Sequence, residues 1–193
     1  MTVLENLRKY DVVLASHSPR RRELFGALGI DFRVEVIRGI DETPPPDLPR
    51  HAIAEYLSRQ KAAAYDISPN ELLITADTVV ILGDEVMGKP ADAAQARSML
   101  RQLSGRTHSV VTGVTVTTAD TVHSFSDEAL VTFDTLSDQE IVHYVKQYKP
   151  YDKAGAYGIQ EWIGYIGVKS IHGSFFTVMG LPVQRLYQLL KTL

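Results

Sequence analysis

The amino-acid sequence predicts a mixed α/β protein. Short apolar segments rich in β-branched residues recur along the chain. Between them lie segments with apolar residues at three- and four-residue spacing, bounded by recognisable helix start and stop residues. No internal repeat interrupts this alternation. The one biased patch is "ETPPPDLP", Glu42 to Pro49, whose prolines forbid a helix and predict an exposed loop.

Val12–Ala15 reads as the first strand. Ser18-Pro19 then starts a helix over Pro19–Leu28, because a hydroxyl caps free N–H groups and proline suits the first helical position. That helix places Leu24, Phe25 and Leu28 on one face and stops at Gly29. Phe32–Ile37 is the second strand, and Arg50–Tyr65 the second helix, with Ile53, Tyr56 and Leu57 apolar. Leu72–Ala76 and Val79–Leu82 read as strands, the second turning at Gly83-Asp84 into a hairpin with Glu85–Met87. Asp92–Leu103 is helical and ends at Ser104-Gly105. Ser109–Thr117 and Ala129–Phe133 follow as strands. Ser137 and Glu140 have capping-box spacing ahead of Ile141, Val142 and Val145, and Pro182 opens a last helix carrying Leu186, Leu189 and Leu190. The glycine-rich stretch Ala154 to Gly180 reads as short strands joined by tight turns.

With 193 residues, 45% hydrophobic and 22% charged, the chain has the composition of a globular protein, and a single domain over residues 1–193 is expected. Twenty Lys and Arg against 23 Asp and Glu give a net charge of −3, so the molecule has no excess attraction for nucleic acid and must capture any anion locally. The absence of cysteine excludes disulfides, thiolate nucleophiles and Cys-ligated zinc. The start "MTVLENLRKYDVVLAS" lacks the pattern of a signal peptide, and no apolar run approaches the roughly 20 residues that span a bilayer, so a soluble cytoplasmic protein without a membrane partner is expected.

Several residue patterns point to chemistry. Arg20, Arg21 and Arg22 occupy the first turn after Ser18-Pro19. Cations there oppose the helix dipole by roughly 0.3–1 kcal/mol each, whereas an anion in front of them would reverse the sign. Either these arginines point into solvent or they face a phosphate. Asp77, after the apolar run Leu72–Ala76, falls at a predicted strand end, where α/β proteins place ligand groups. In the hairpin register Leu82 faces Glu85, and counting back sets Lys89 opposite Thr78 and beside Asp77; a structural ion pair is the alternative. Lys61 lies at i+4 from Leu57 and i+8 from Ile53, so its charge either points inward and needs a partner or snorkels past the core edge. Glu42 follows Asp41 and is either a second carboxylate for a metal or part of an acidic turn. The histidines show no spacing of the H-E-x-x-H kind, and "GAYGIQ", Gly155 to Gln160, either turns the chain or holds a base.

Taken together, "ASHSPRRRELFGALG", "LSRQKA", "ADTVV" with "GKP", "LSGRTHSVVTGV", "DKAGAYGIQ" and "GSFFTVMGLP" resemble, in order, the Maf family of nucleoside triphosphate pyrophosphatases, once called septum formation proteins. "DKAGAYGIQ" is similar to the branch acting on dTTP and UTP. The resemblance implies an α/β fold with a central mixed twisted sheet flanked by helices, and two lobes with a deep cleft. It further implies hydrolysis of the triphosphate to monophosphate and pyrophosphate with a divalent cation, Mg²⁺ or Mn²⁺, and is consistent with a homodimer. By the same resemblance Asp77 takes the proton-acceptor position and joins Glu42 at the metal. Ser16, Arg20, Arg21, Lys61 and Lys89 match phosphate-binding positions, and Arg20, Thr78 and Gln160 match positions tied to base selectivity. The chain departs from the family at His17, at Lys149 and at Glu161-Trp162, which follows Gln160 where glycine is frequent. The alternative function is a non-catalytic nucleotide-binding regulator of cell division.

Overall fold

A computed structural model describes residues 4–193. In chain order the elements are β1 (Asp11–Leu14), α1 (Pro19–Gly26), β2 (Arg33–Val34), α2 (Ile53–Ala63), β3 (Glu71–Leu82), β4 (Glu85–Met87), α3 (Ala93–Leu103), β5 (Thr107–Thr117), β6 (Val122–Phe133), α4 (Asp138–Tyr148), α5 (Trp162–Gly167), β7 (Val168–His172), α6 (Phe175–Met179) and α7 (Val183–Leu190). The strands form one seven-stranded sheet in the order β2-β1-β3-β5-β6-β7, with β4 hairpinned on β3. It is mixed: β1 pairs in parallel with β2 and β3, whereas β3–β4 and β6–β7 are antiparallel. Among the described residues no helix is long and apolar enough to cross a membrane.

The chain folds as two compact units. The first comprises the residues up to Asp77, Thr112–Asp127 and Gly180–Leu193. Val13, Ala15, Ala62 and Leu73 form a buried cluster there, with Tyr65 and Ile67 against it. The amide of Asn6 donates to the carbonyls of Leu190 (2.8 Å) and Leu193 (3.0 Å), tying the ends of the chain together. The second unit comprises Thr78–Val111 and Glu128–Met179, with Leu100, Phe133, Ile141, Tyr144 and Ile163 buried.

Several sequence expectations change. Leu72–Ala76 and Val79–Leu82 are one continuous strand, so Asp77 lies within β3 and not at its end. The parallel pairing with β1 nevertheless stops at Leu14 and Ile74, which leaves Asp77 beyond the carboxyl end of β1. The hairpin register holds from Leu82↔Glu85 to Val80↔Met87, but β4 ends at Met87, so the ladder does not carry Lys89 to a place opposite Thr78. Gly88-Lys89-Pro90 has left the strand, which a proline soon forces by removing a donor. β6 begins at Val122 and not at Ala129, because its first half is buried on neither face and shows no alternation. β2 shrinks to a pair of residues.

Ala154 to Gly180 is mostly short helix with a single strand, β7. Its glycines serve close approach more than turning: a Cβ on Gly164 would lie 1.8 Å from the carbonyl oxygen of Ile159, and one on Gly167 would lie 2.9 Å from Leu136 Cδ2. Other signals hold as read. Ser18 Oγ accepts from the Arg21 N–H at the start of α1, and Asp92 Oδ1 accepts from the Gln95 N–H at the start of α3. Ser137 and Glu140 form a full capping box on α4, and Pro182 sits at the N-cap of α7, one place earlier than expected.

Candidate active site

In the first unit, α2 carries a lysine toward β3. Its inner face, Ile53, Ala54, Leu57, Ser58 and Ala62, is buried. Hydroxyls pin that face: Ser58 Oγ lies 2.8 Å from Thr115 Oγ1 on β5, and Thr75 Oγ1 on β3 donates to the Ser58 carbonyl at 2.7 Å. β5 comes so close to α2 that a Cβ on Gly113 would lie 2.3 Å from the backbone of Ala54 and Glu55. One turn beyond Ser58, Lys61 reaches Asp77. Its Nζ donates to Asp77 Oδ1 at 2.6 Å and stands 3.2 Å from Glu42 Oε2. The Lys61 and Asp77 side chains are only 16% and 14% exposed, so this ion pair is shielded from screening, while Glu42 at 49% remains open to solvent. The inward direction of Lys61 and its need for a partner are therefore both met.

The acidic pair divides its roles. Asp41 Oδ1 accepts from the Thr43 N–H at 2.9 Å and makes the turn, while Glu42 faces Lys61.

The first-turn arginines also separate. Arg21 folds back: its Nε donates to the Gly180 carbonyl (2.8 Å) and its Nη1 to the Ala76 carbonyl (2.9 Å), the residue before Asp77. Burial pushes its pKa below the usual arginine value, while Asp77 acts in the opposite sense and Arg20 adds to the lowering. Arg22 is exposed and donates to the His17 carbonyl at 3.0 Å. Arg20 is partly buried beside Arg21. Ser16 is buried, and its Oγ accepts from the Ser18 N–H at 3.2 Å. The structure thus gathers Arg21, Glu42, Lys61 and Asp77 around one point, with Arg20 and Ser16 on the adjoining loop and helix start.

Among the described residues no three or more His, Cys, Asp or Glu side chains are grouped so as to hold a metal ion by themselves. Glu42 and Asp77 both approach Lys61 and supply hard oxygen donors beside it, a donor set that suits Mg²⁺ or Mn²⁺ if phosphate oxygens and water complete the shell.

Thr78, Lys89 and Gln160 belong to the second unit. Thr78 is partly buried and Lys89 exposed. The Gly155 N–H donates to the Gly88 carbonyl at 3.1 Å, so the segment holding Lys89 is tied to the turn that leads to Gln160. Gln160 Oε1 is buried with no hydrogen-bond partner. A buried amide oxygen without a donor is costly, and a donor from water or from a ligand would relieve that cost. Sequence reasoning missed the residues beneath this turn, Tyr144, Lys153 and Glu161, which are linked to one another. The available signal was Tyr144 at i+3 from Ile141, a phenol on an apolar helix face that needs a polar partner.

The sequence matches the Maf-like protein family over residues 11–193. A dTTP/UTP pyrophosphatase of Phocaeicola vulgatus is 56% identical over 193 residues, covering 99% of this chain and 100% of that protein. One from Bacteroides thetaiotaomicron is 55% identical over 193 residues, with the same coverage. One from Flavobacterium johnsoniae is 42% identical over 191 residues, covering 98% of each.

Proposed function

Because this chain belongs to the Maf-like protein family, we propose that it is a nucleoside triphosphate pyrophosphatase. Its substrates are dTTP and UTP, with modified pyrimidine triphosphates that present the same imide edge, and its products are the nucleoside monophosphate and pyrophosphate. The observation that carries this is Lys61 held between Asp77 at 2.6 Å and Glu42 at 3.2 Å, with Arg21 on the carbonyl next to Asp77. An ammonium and a guanidinium converging on one point suit a polyphosphate, whose charge-assisted hydrogen bonds are the strong ones.

Water attacks the α-phosphorus, the bond from that phosphorus to the bridging oxygen breaks, and pyrophosphate leaves. Asp77 orients the water and takes its proton. Lys61 then exchanges part of its carboxylate contact for phosphate oxygen, and Arg20, Lys89 and the Ser16 region bind the phosphate chain. Arg21 fixes the backbone at Ala76, so the Asp77 carboxylate is aimed before substrate arrives. A divalent cation held by Glu42 and Asp77 would neutralise charge on the phosphate oxygens. Gln160, whose Oε1 lacks a donor, accepts from the imide N–H of uracil or thymine, and Thr78 adds to base selection. The enzyme is cytoplasmic and homodimeric, and its partner is the nucleotide and not nucleic acid, which the net charge of −3 supports.

Asp77→Asn keeps the shape and removes the base. Pyrophosphate release from dTTP and UTP should fall by about 10²–10⁴-fold. Near-wild-type turnover would remove Asp77 from the chemistry, and tight binding without any pyrophosphate from the wild type would make the protein a nucleotide sensor instead.

A further inference from the structure

The turn that delivers Gln160 is strained. Gly155 has φ 67° and Ala156 has φ 61°, a left-handed conformation that a non-glycine residue holds only with external support. That support is a polar cluster that runs from the core to the surface. Tyr144, fully buried on α4, donates its O–H to Glu161 Oε2 and accepts the Gly158 N–H at 3.0 Å. Lys153 Nζ stands 3.2 Å from Glu161 Oε1 and 2.8 Å from Asp152 Oδ1. The Glu161 N–H donates to the Gly158 carbonyl at 3.0 Å, and a Cβ on Gly158 would lie only 2.8 Å from Glu161 Cδ. Glu161 therefore grips the backbone two residues before Gln160, its main-chain N–H directly and its carboxylate through a phenol and by packing.

We propose that Glu161, held between Tyr144 and Lys153, is a positioning residue that fixes the place of the Gln160 amide and thereby sets discrimination between uracil and cytosine. It rests on the substrate assignment above. Uracil offers an N–H where cytosine offers a lone pair at N3, so an acceptor held rigidly favours uracil, whereas an amide free to turn over serves both. Only a carboxylate fits the clamp. Both of its oxygens accept, one from the phenol and one from the ammonium; glutamine would set an NH₂ against Lys153 or against the Tyr144 hydroxyl. Burial, and then the hydrogen bond to Glu161, raises the Tyr144 pKa, so its hydroxyl stays a donor at working pH.

The test uses the full chain with Glu161→Gln and Tyr144→Phe, which loosen opposite ends of the clamp. The ratio of kcat/KM for UTP over CTP should fall by about tenfold, the equivalent of one hydrogen bond, through KM for UTP with kcat within about threefold. Amide hydrogen exchange at Gly158–Gln160 should quicken in both variants while β6 stays protected. Equal losses on both nucleotides, a wild type that does not prefer UTP, or unchanged exchange at Gly158–Gln160 would each overturn the proposal. A wild type that releases no pyrophosphate from UTP sinks the substrate assignment, and the exchange comparison still decides whether Glu161 holds the turn.

Discussion

Lys61 shows how a single side chain joins sequence to chemistry. Its place on the apolar stripe of a helix allows either an inward charge with a partner or a side chain that snorkels past the core edge, and the contacts with Asp77 and Glu42 decide for the first. What spacing alone does not reveal is that Arg21 spends two donors on main-chain carbonyls, because neither acceptor is visible in a string of side chains. His108 is the second case. The sequence leaves it as a surface or a packing residue, and it is 2% exposed on β5, with Nε2 2.7 Å from the Tyr157 hydroxyl and Nδ1 without a partner. Burial depresses its pKa to about 4 from 6.5. A folded-state value below the unfolded one means that the unfolded chain binds the extra proton between those limits. Stability is thus complete above about pH 6.5 and drains away as pH falls toward 4, by roughly 3 kcal/mol in total. Urea titrations at pH 7.5 and pH 5 should show this loss in the wild type and a smaller one in His108→Gln; equal losses in both would clear His108.

Helix α2 and strand β5 form the contact on which the placement of Lys61 depends. Gly113 is required by space, since a Cβ there meets helix backbone at 2.3 Å, and backbone cannot rotate aside as a side chain can. Gly113→Ala should destabilise the fold by about 1–3 kcal/mol and lower pyrophosphatase activity with it, because relief comes only by lifting α2. Thermal melting and activity assays on one preparation check this; a full-activity, full-stability variant would contradict it. Caps and periodicity predicted α1, α2, α3, α4 and α7 because these helices are long enough to repeat an apolar face. Helices α5 and α6 are shorter than two turns and show no period, and glycines such as Gly164 resemble turn signals while serving close packing. Asp77 and Thr78 hid the continuity of β3 for a related reason: a polar pair inside a strand reads as a break.

Neither unit is a contiguous piece of chain. The first needs three segments, and its last, Gly180–Leu193, brings the buried Leu186 and Leu190 and the Gly180 carbonyl that holds Arg21. Ending the chain at Met179 should therefore abolish activity and release exchange protection across β1, while Ile141 and Val145 in the second unit, whose segments are all present, keep theirs. Loss of protection in both units, or in neither, would contradict this. That segmentation was not legible in the sequence, which shows local elements but not which distant segments close on one another. It also dictates a schedule. While the chain emerges from the ribosome, the apolar Val12–Leu14 and Leu72–Ile74 are synthesised long before α7 arrives to complete their unit, a delay on the order of ten seconds. During that interval the nascent polypeptide presents sticky, half-finished β-structure, so its yield in the cell is sensitive to chaperone supply and to the pace of translation.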